Sequence, residues 1–462
     1  MADVGRHIRN GEFFFRDPQV LWTNFYSYTE PDFPVMNHHW GAGVIFYLVW
    51  KWFDFTGLHI FFALLSLVAF GLFFFIAEKR DGLAAACLAA IPMIPVLAIR
   101  NEIRPEVFSY ICSGLFLWVL LRWRERPESF KHLPIVLPLL EIFWVNVHIY
   151  FILGPAIVGT FWLDSIITRR DKRYSRKLLQ LLALTFLGTF LNPFGYKGAL
   201  APFTIFQNYG YAVIENQPVW YVDRFYSAAQ TMYFKIGFAL LAASFIVAAI
   251  KRRASDIPFP YFVFATTFSL MGWLAIRNFA LFGLFSIPVL STNIALAFER
   301  NRIRWERIIR PLVLLISVIF VVLFISGLLS RFFLVYPEVG FGLARGNTAA
   351  AEYFKNNKLQ GPIFNNYEVG SYLIFYLFPQ ERVFVDNRPE AYSEAFFQQA
   401  YIPMQQYEEK WQEMDRFFGF RTIIVARGDM TPWMSSFLYA RMSDPHWQRV
   451  FADPFILIFT KR

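Results

Sequence analysis

The chain has 462 residues, of which 56% are hydrophobic, 20% aromatic and only 17% charged. Ordinary soluble domains carry about 25% charged residues, and a soluble fold with 56 Phe and 14 Trp would expose more apolar surface than water tolerates. The formal net charge of +10 could indicate nucleic-acid binding, but the basic residues lie in short clusters between apolar runs, which favours a membrane protein and no nucleic-acid partner.

The apolar runs predict a bundle of about ten membrane-spanning helices. Residues 1–40 contain no run long enough to cross a bilayer, and the short amphipathic stretch 43–53 is expected at the membrane interface. The predicted spans are 58–77, 83–99, 105–122, 133–147, 149–168, 178–194, 232–250, 258–276, 279–298 and 310–334.

The basic clusters predict the topology, because loops rich in Lys and Arg remain in the cytoplasm. These clusters occupy 79–80, 122–131, 169–177, 251–253 and 300–310, in every second connection. Placing them in the cytoplasm leaves residues 1–57, the loop 195–231 and everything after 334 outside. We therefore expect a multi-pass protein of the cell (inner or plasma) membrane with both ends extracytoplasmic.

Residues 335–462 differ in character from the rest of the chain. Strand-like runs at 362–364, 382–386, 421–426 and 455–459 alternate with amphipathic segments at 349–356 and 408–418. This alternation predicts a small α/β domain. The expected fold class is an all-α polytopic membrane domain at 1–334, with its first external loop at 1–57, followed by an extracytoplasmic α/β domain at 335–462.

Polar residues gather on the predicted outer side of the bundle. Ionisable groups near the hydrocarbon are costly and usually face a cavity or one another, so we expect a polar cavity at the outer leaflet. For a single arginine at a helix end, snorkelling to the headgroups is the alternative. The outer-side set is Asp3, Arg6, His7, His38, His39, Arg100, Glu102, Arg104, Glu106, Asn146, His148, Asn192, Glu215, Asn216, Arg277 and Asn278.

Several motifs occur in order along nearly the whole chain. They are DVGRHIRNGE (3–12), YSYTEPDFPVMNHHW (26–40), IRPEVFSY (103–110), IFWVNVHIYFILG (142–154), LNPFG (191–195), IRNFALFGLFSIP (276–288), and FNNYEVGSYLI and VFVDNRPEAY in the tail. Together they resemble the bacterial GT-C superfamily of membrane glycosyltransferases, which includes protein O-mannosyltransferases, aminoarabinose transferases and oligosaccharyltransferases. Members usually carry a membrane helix before the acidic motif, which begins here at Asp3, and an acidic residue where this chain has His39.

The resemblance implies transfer of a sugar from a polyprenyl-phosphate donor, within the bilayer, to a glycan, lipid or protein acceptor outside the cytoplasm. It implies that Asp3, in the first external loop, acts near the reacting centre. It names no certain cofactor and leaves dependence on a divalent metal open.

The residues themselves allow both functional and structural roles. A lipid-phosphate leaving group needs one base and stabilising cations; Asp3 is the candidate base, with a structural ion pair to Arg6 or Arg9 as the alternative. The candidates for phosphate and substrate binding are Arg100, Arg104, Arg277, His7, His38, His39, Glu102, Asn146 and His148. His38 and His39 could orient the donor, bind a metal or form an interfacial pair.

In the tail, Asp386, Arg388 and Tyr392 are candidates either for substrate contact or for a buried pair that fixes a loop. Two other function classes compete with a glycosyltransferase. A transporter would also place charges within the membrane, and an inactive scaffold would anchor the tail.

Overall fold

The computed structural model describes residues 3–100, 102–128, 132–205, 208–225, 229–251, 253–298, 302–325 and 340–462. Each of the first nine predicted apolar segments coincides with helix over most of its length. The last one, 310–334, is helical as far as residue 325, and its end and the predicted domain boundary at 334 lie outside the described residues. The helices are α1 (Val4–Arg16), α2 (Trp40–Asp81), α3 (Leu83–Ala90), α4 (Ile94–Ala98), α5 (Glu106–Glu125), α6 (Val136–Val147), α7 (Leu153–Ile167), α8 (Lys172–Gly188), α9 (Tyr196–Thr204), α10 (Val219–Phe225), α11 (Ala229–Ile250), α12 (Phe259–Leu274), α13 (Phe279–Phe298) and α14 (Arg302–Ile325).

Within the described residues, five helical stretches are long and apolar enough to cross a membrane: 40–81, 106–125, 149–167, 229–250 and 276–298. Three shorter apolar helices lie at 83–98, 136–147 and 259–274. In the most apolar window of the 276–298 stretch 83% of residues are buried, against 22% in α2 and in α11. The α13 region therefore lies at the centre of the bundle, whereas α2 and α11 face lipid. The prediction of a polytopic helical domain is confirmed.

The second helix bends where the sequence changes from interfacial to spanning character. Asp54 has a positive φ of 57° inside α2 and separates residues 40–53 from 55–81. Such backbone geometry is uncommon outside glycine, although aspartate tolerates it better than most residues. The amphipathic stretch predicted at 43–53 is thus a helical segment distinct from the long span that follows it.

The tail is a small α/β unit, as predicted. Its sheet has the order β1-β2-β4-β3, with β1 parallel to β2 and the other pairs antiparallel. Both predicted amphipathic helices are present. The elements are α15 (Ala349–Asn356), β1 (Ile363–Asn365), α16 (Gly370–Leu377), a π-helix (Phe396–Tyr401), α17 (Ile402–Gln406), α18 (Glu408–Phe418), β2 (Thr422–Ala426), α19 (Met434–Ser443), β3 (Trp447–Ala452) and β4 (Ile456–Lys461).

The strand predicted at 382–386 is wrong. Val383 instead forms a single parallel bridge with Ser27 of the loop between α1 and α2, flanked by backbone hydrogen bonds from Tyr28 to Val383 and from Val383 to Tyr26. The segment is apolar because it is buried, but its hydrogen-bond partner comes from a distant part of the chain. The sequence does not predict strand β3, because apolar and polar residues do not alternate regularly in its segment WQRVFA.

The loop between α1 and α2 and the tail share hydrophobic cores. Tyr26 packs in one core with residues of α15, α16 and β4, and Val35 and Tyr211 pack in a second core with tail residues. Ser27 and Thr29 both donate to the carbonyl of Phe384, at 3.1 and 2.9 Å. The tail is therefore anchored to the loops of the membrane bundle, and its treatment as a separate domain from residue 335 remains a proposal.

Two glycines allow α1 to cross α2 closely. A Cβ at Gly11 would lie far inside van der Waals contact with the carbonyl of Gly43, and a Cβ at Gly43 would lie 2.8 Å from the carbonyl of His7. The crossing brings the first turns of α1, which carry Asp3 and His7, to the start of α2.

We predict that Gly11→Ala lowers the free energy of unfolding in detergent by about 1–3 kcal/mol, and with it the unfolding temperature, because the added methyl group forces the two helices apart. Gly71→Ala in α2 is the matched control, because a Cβ there meets nothing within 4 Å. Both variants gain the helix propensity of alanine, so the difference in unfolding temperature isolates the crossing. Equal unfolding temperatures for the two variants would contradict the close approach.

Candidate functional site

Helix α1 lies on the membrane bundle and presents its first turns to the interior. Val4 and Ile8 are buried against the main hydrophobic core, and Arg6 and His7 are buried beside them. The helix is held from the tail side as well, because Arg9 Nε donates to the carbonyl of Phe375 in α16 at 2.9 Å. This double packing fixes the position of Asp3 at the start of the helix.

Three arginines share two glutamates next to Asp3. Arg100 makes a two-pronged contact with Glu106, at 2.6 and 3.2 Å, and also lies 3.2 Å from Glu215. Arg104 contacts Glu215 at 2.7 Å, and Arg277 lies 3.6 Å from Glu106. The three predicted arginines therefore belong to one ion-pair network, although they come from distant parts of the sequence.

Asp3 is joined to this network. Its carboxylate lies 3.2 Å from Arg6 and 3.8 Å from Arg104, and the latter also binds Glu102 at 2.6 Å. Burial alone would raise the pKa of Asp3, but the positive charges of Arg104 and Arg6 outweigh it and lower that pKa below its ordinary value. Asp3 is consequently ionised at neutral pH. The alternative partner Arg9 pairs with Glu12 instead.

Part of the network lines a polar cavity of about 250 Å³, whereas Asp3, Arg6 and Arg277 lie outside that lining. Four arginines (Arg6, Arg100, Arg104, Arg277) are matched by four carboxylates (Asp3, Glu102, Glu106, Glu215), so the formal charges cancel. An anion binding here must therefore use N–H groups that the carboxylates leave free. The cavity is lined by Phe62, Ile99, Arg100, Glu102, Arg104, Glu106, Val107, Tyr110, Ile214, Glu215, Gln230 and Ile276.

Four histidines form a second group behind α1. The ring centroids of His38 and His39 are 4.7 Å apart, His39 stacks on His148 at 5.1 Å, and His7 meets His39 edge-on at 5.6 Å. Burial is the main cause that lowers the pKa of His38 to about 4, with Arg6 and Arg277 adding to it. Burial likewise lowers the pKa of His7 and of His39 well below its ordinary value. These imidazoles are neutral at pH 7.

The histidines do not converge on a point, as the ligands of a metal would. Among the residues that the structure describes, no group of three or more His, Cys, Asp or Glu side chains is arranged to hold a metal ion. His148 instead forms a hydrogen bond with Ser109, whose hydroxyl oxygen lies 2.7 Å from the His148 Nδ1.

Several buried nitrogen atoms of the arginine network and of the histidine group lack a hydrogen-bond partner among the described residues. Arg6 Nε, Arg277 Nε, His7 Nδ1, His38 Nδ1 and His39 Nε2 have no hydrogen-bond partner among the described residues. A buried polar atom without a partner is unfavourable by about 1–3 kcal/mol. His38 lies within electrostatic reach of both Arg6 and Arg277, so the free nitrogens are clustered. This arrangement suits a ligand rich in hydrogen-bonding oxygens.

The remaining predicted residues lie elsewhere. Asn146 accepts a hydrogen bond from the Trp40 indole at 2.9 Å and donates to the Leu191 carbonyl at 2.9 Å, which fixes the start of α2. In the tail, Arg388 pairs with Asp386 at 2.6 Å and donates to Asn24 of the loop between α1 and α2 at 2.9 Å.

Tyr392 belongs to the same buried tail cluster, because its hydroxyl accepts the backbone N–H of Asp386 at 2.9 Å. These contacts of Asp386, Arg388 and Tyr392 fix a loop of the tail, and the structure gives the three side chains no contact with the arginine network.

One tail residue near the cavity was missed from the sequence. Glu368 lies in the turn Tyr367–Val369, which is held against the loop between α9 and α10 by stacking of Tyr367 on Tyr211, with ring centroids 4.5 Å apart. The side chain of Glu368 is partly open to solvent, but the protein packed around it, followed by repulsion from Asp429, Asp3, Glu215 and Glu102, raises its pKa to about 7. No local sequence signal marks it. Glu106 and Glu215 were placed on the outer side by sequence but not assigned to the site.

The whole structure is similar to two solved membrane enzymes. It matches the oligosaccharyltransferase of Archaeoglobus fulgidus, solved in complex with Zn and sulfate, with a TM-score of 0.58 and 13% identity over 92% of this chain and 64% of that one. It matches ArnT from Cupriavidus metallidurans in the apo state with a TM-score of 0.56 and 13% identity over 99% of this chain and 93% of that one.

The chain has the GT-C fold. The resemblance carried by the sequence motifs is thereby confirmed at the level of fold, which is what a likeness at 13% identity shows. This chain spans less than two thirds of the oligosaccharyltransferase. No protein-family model and no curated protein matches the sequence.

Proposed function

We propose that this GT-C chain is an integral-membrane glycosyltransferase that moves a sugar from a polyprenyl-phosphate donor to a glycan, lipid or protein acceptor outside the cytoplasm. The observation that carries the proposal is the cluster of unpartnered nitrogens of Arg6, His38 and Arg277 close to the ionised Asp3. The proposal includes a cell-membrane location with the tail on the extracytoplasmic side.

In the proposed reaction, the acceptor hydroxyl oxygen bonds to the anomeric carbon of the sugar. The bond from that carbon to the donor phosphate oxygen breaks, and its electron pair leaves with the phosphate. Asp3 accepts the hydroxyl proton, which its ionised state allows. The free N–H groups of Arg277 and Arg6 stabilise the phosphate oxygens as negative charge develops on them.

We predict that Asp3→Asn lowers transfer by roughly a hundredfold or more, the usual cost of losing a general base. The measurement is sugar transfer by the purified protein with a panel of polyprenyl-phosphate sugars. Asp17→Asn is the matched control, because Asp17 is an exposed carboxylate at the other end of α1. Undiminished turnover by Asp3→Asn would remove Asp3 from the mechanism. Substrate movement across vesicles without donor cleavage would favour a transporter, and donor binding without turnover an inactive scaffold.

Arg277 is expected to contribute more to donor binding than Arg100 or Arg104, because carboxylates occupy the latter two more completely. Arg277→Ala should reduce donor affinity roughly ten- to a hundredfold, the usual worth of a charge-assisted hydrogen bond. Arg277→Lys should retain only part of the donor affinity, because lysine keeps the positive charge but lacks the planar guanidinium that binds phosphate through two N–H groups. Arg224→Ala, at an exposed position in α10, is the control. Equal donor affinity of Arg277→Ala and the wild type would contradict the assignment.

The proximity of Glu368 to Asp3 and Glu215 predicts a pH dependence. Above pH 7 Glu368 loses its proton and adds negative charge near the proposed phosphate position, so the KM for the donor should rise as pH passes through about 7. The donor is a phosphodiester and does not titrate in this range. Glu368→Gln should flatten the profile, whereas the exposed Glu352→Gln in α15 should not. A rise that persists in Glu368→Gln would assign it to another group.

A further inference from the structure

A second cleft lies at the opposite end of the helices that build the candidate site. It has a volume of about 220 Å³ and lies between the last turns of α2 and α5. Glu106 is the first residue of α5 and Glu125 the last, and a helix of this length spans about 30 Å. The cleft and the arginine network are therefore separated by about the thickness of the hydrocarbon layer.

Positive charge exceeds negative charge in this cleft. Lys79, Arg80 and Arg122 line it, with Glu125 as its one lining carboxylate among the described residues. Arg80 lies 3.4 Å from Glu125, and the exposed Lys79 lies 3.2 Å from its half-buried sequence neighbour Glu78. Arg122 forms no ion pair with any described residue. Cations at the end of a span are common in membrane proteins, so the charge alone does not identify a ligand.

The indole of Trp118 distinguishes the cleft from an ordinary basic boundary. Trp118 lines the cleft, and its Nε1 is buried without a hydrogen-bond partner among the described residues. Tryptophan N–H groups at this depth usually bond to headgroups or water. The cleft thus combines a buried N–H donor with an unpaired guanidinium, which is the donor set that a phosphate oxygen accepts from.

The surface beside the cleft fits acyl chains. Leu64, Leu67, Val68 and Phe75 of α2 are large apolar side chains exposed on the bundle surface, and α2 is among the least buried of the spanning helices. Phe75 also lines the cleft. A molecule that places a phosphate in the cleft can therefore extend hydrocarbon along α2 without crossing a polar surface.

We propose that this cleft binds the phosphate of an anionic phospholipid headgroup, with the acyl chains along α2. Arg122 and Lys79 contact the phosphate oxygens, and the Trp118 indole donates to the headgroup. Basic pockets between spanning helices recognise such headgroups elsewhere. The proposal does not depend on the transferase activity, because the two sites use different residues at opposite membrane boundaries.

The test measures retention of phosphatidylglycerol and of zwitterionic phosphatidylcholine by the purified full chain, using native mass spectrometry from detergent. We expect wild-type protein to retain phosphatidylglycerol preferentially. The double variant Lys79→Gln with Arg122→Gln should bind it roughly thirtyfold more weakly, taking the usual contribution of each basic residue near a lipid surface. Arg126→Gln with Lys172→Gln removes the same charges at exposed positions outside the cleft and should bind like wild type.

Two further measurements test the role of the Trp118 N–H and distinguish a lipid from a soluble phosphate ligand. Trp118→Phe keeps the aromatic ring but removes the N–H, so it should weaken phosphatidylglycerol retention even if the double variant fails to fold. Glycerol phosphate added at matched concentration tests for a soluble ligand, and binding as strong as that of the lipid would overturn the lipid assignment. Equal retention by wild type, the double variant and Trp118→Phe would overturn the site. Asp3→Asn should retain the lipid, which keeps this result independent of the transferase.

Discussion

The sharing of Glu106 and Glu215 by three arginines is the interaction on which the candidate site depends. Glu106 is almost fully buried, with its side chain 5% exposed, so its charge is tolerable only because Arg100 and Arg277 surround it. Removing one partner of a buried pair typically costs about 3–5 kcal/mol. The network joins the end of the α4 region, the start of α5, the loop before α10 and the approach to α13, so it fixes those segments relative to one another.

The loop between α1 and α2 connects the site to the tail. Residues of that loop form part of the hydrophobic cores of the tail, and Glu30 accepts both the backbone N–H and the hydroxyl of Ser393 at 2.7 Å. The tail in turn holds α1 through Arg9 and carries Glu368 to the edge of the carboxylates around Asp3. The tail therefore takes part in the electrostatics of the site.

Helix α5 connects two different chemical environments. Its first turn carries Glu106 and its last turn carries Arg122 and Arg124, which is the charge order that the helix dipole favours. Arg124 is committed to a pair with Asp164 at 2.7 Å, whereas Arg122 is left to face the second cleft. One helix thus supplies a carboxylate to the arginine network and, at the other membrane boundary, a guanidinium that forms no ion pair with the described part of the chain.

The sequence by itself determined the membrane class, the helical segments, the two amphipathic helices of the tail and the grouping of Asp3, Arg100, Arg104 and Arg277 at one end of the bundle. These follow from hydrophobic periodicity and charge placement, which are local properties of the chain. Only the tertiary structure decided that 382–386 bridges to Ser27 rather than forming a strand and that Glu368 lies near Asp3. It also decided that Arg277 and His38, unlike Arg100, each keep a nitrogen without a partner among the residues described. Those outcomes depend on which partners folding brings within a few ångströms, and residues about a hundred or more positions apart give no local signal of that distance.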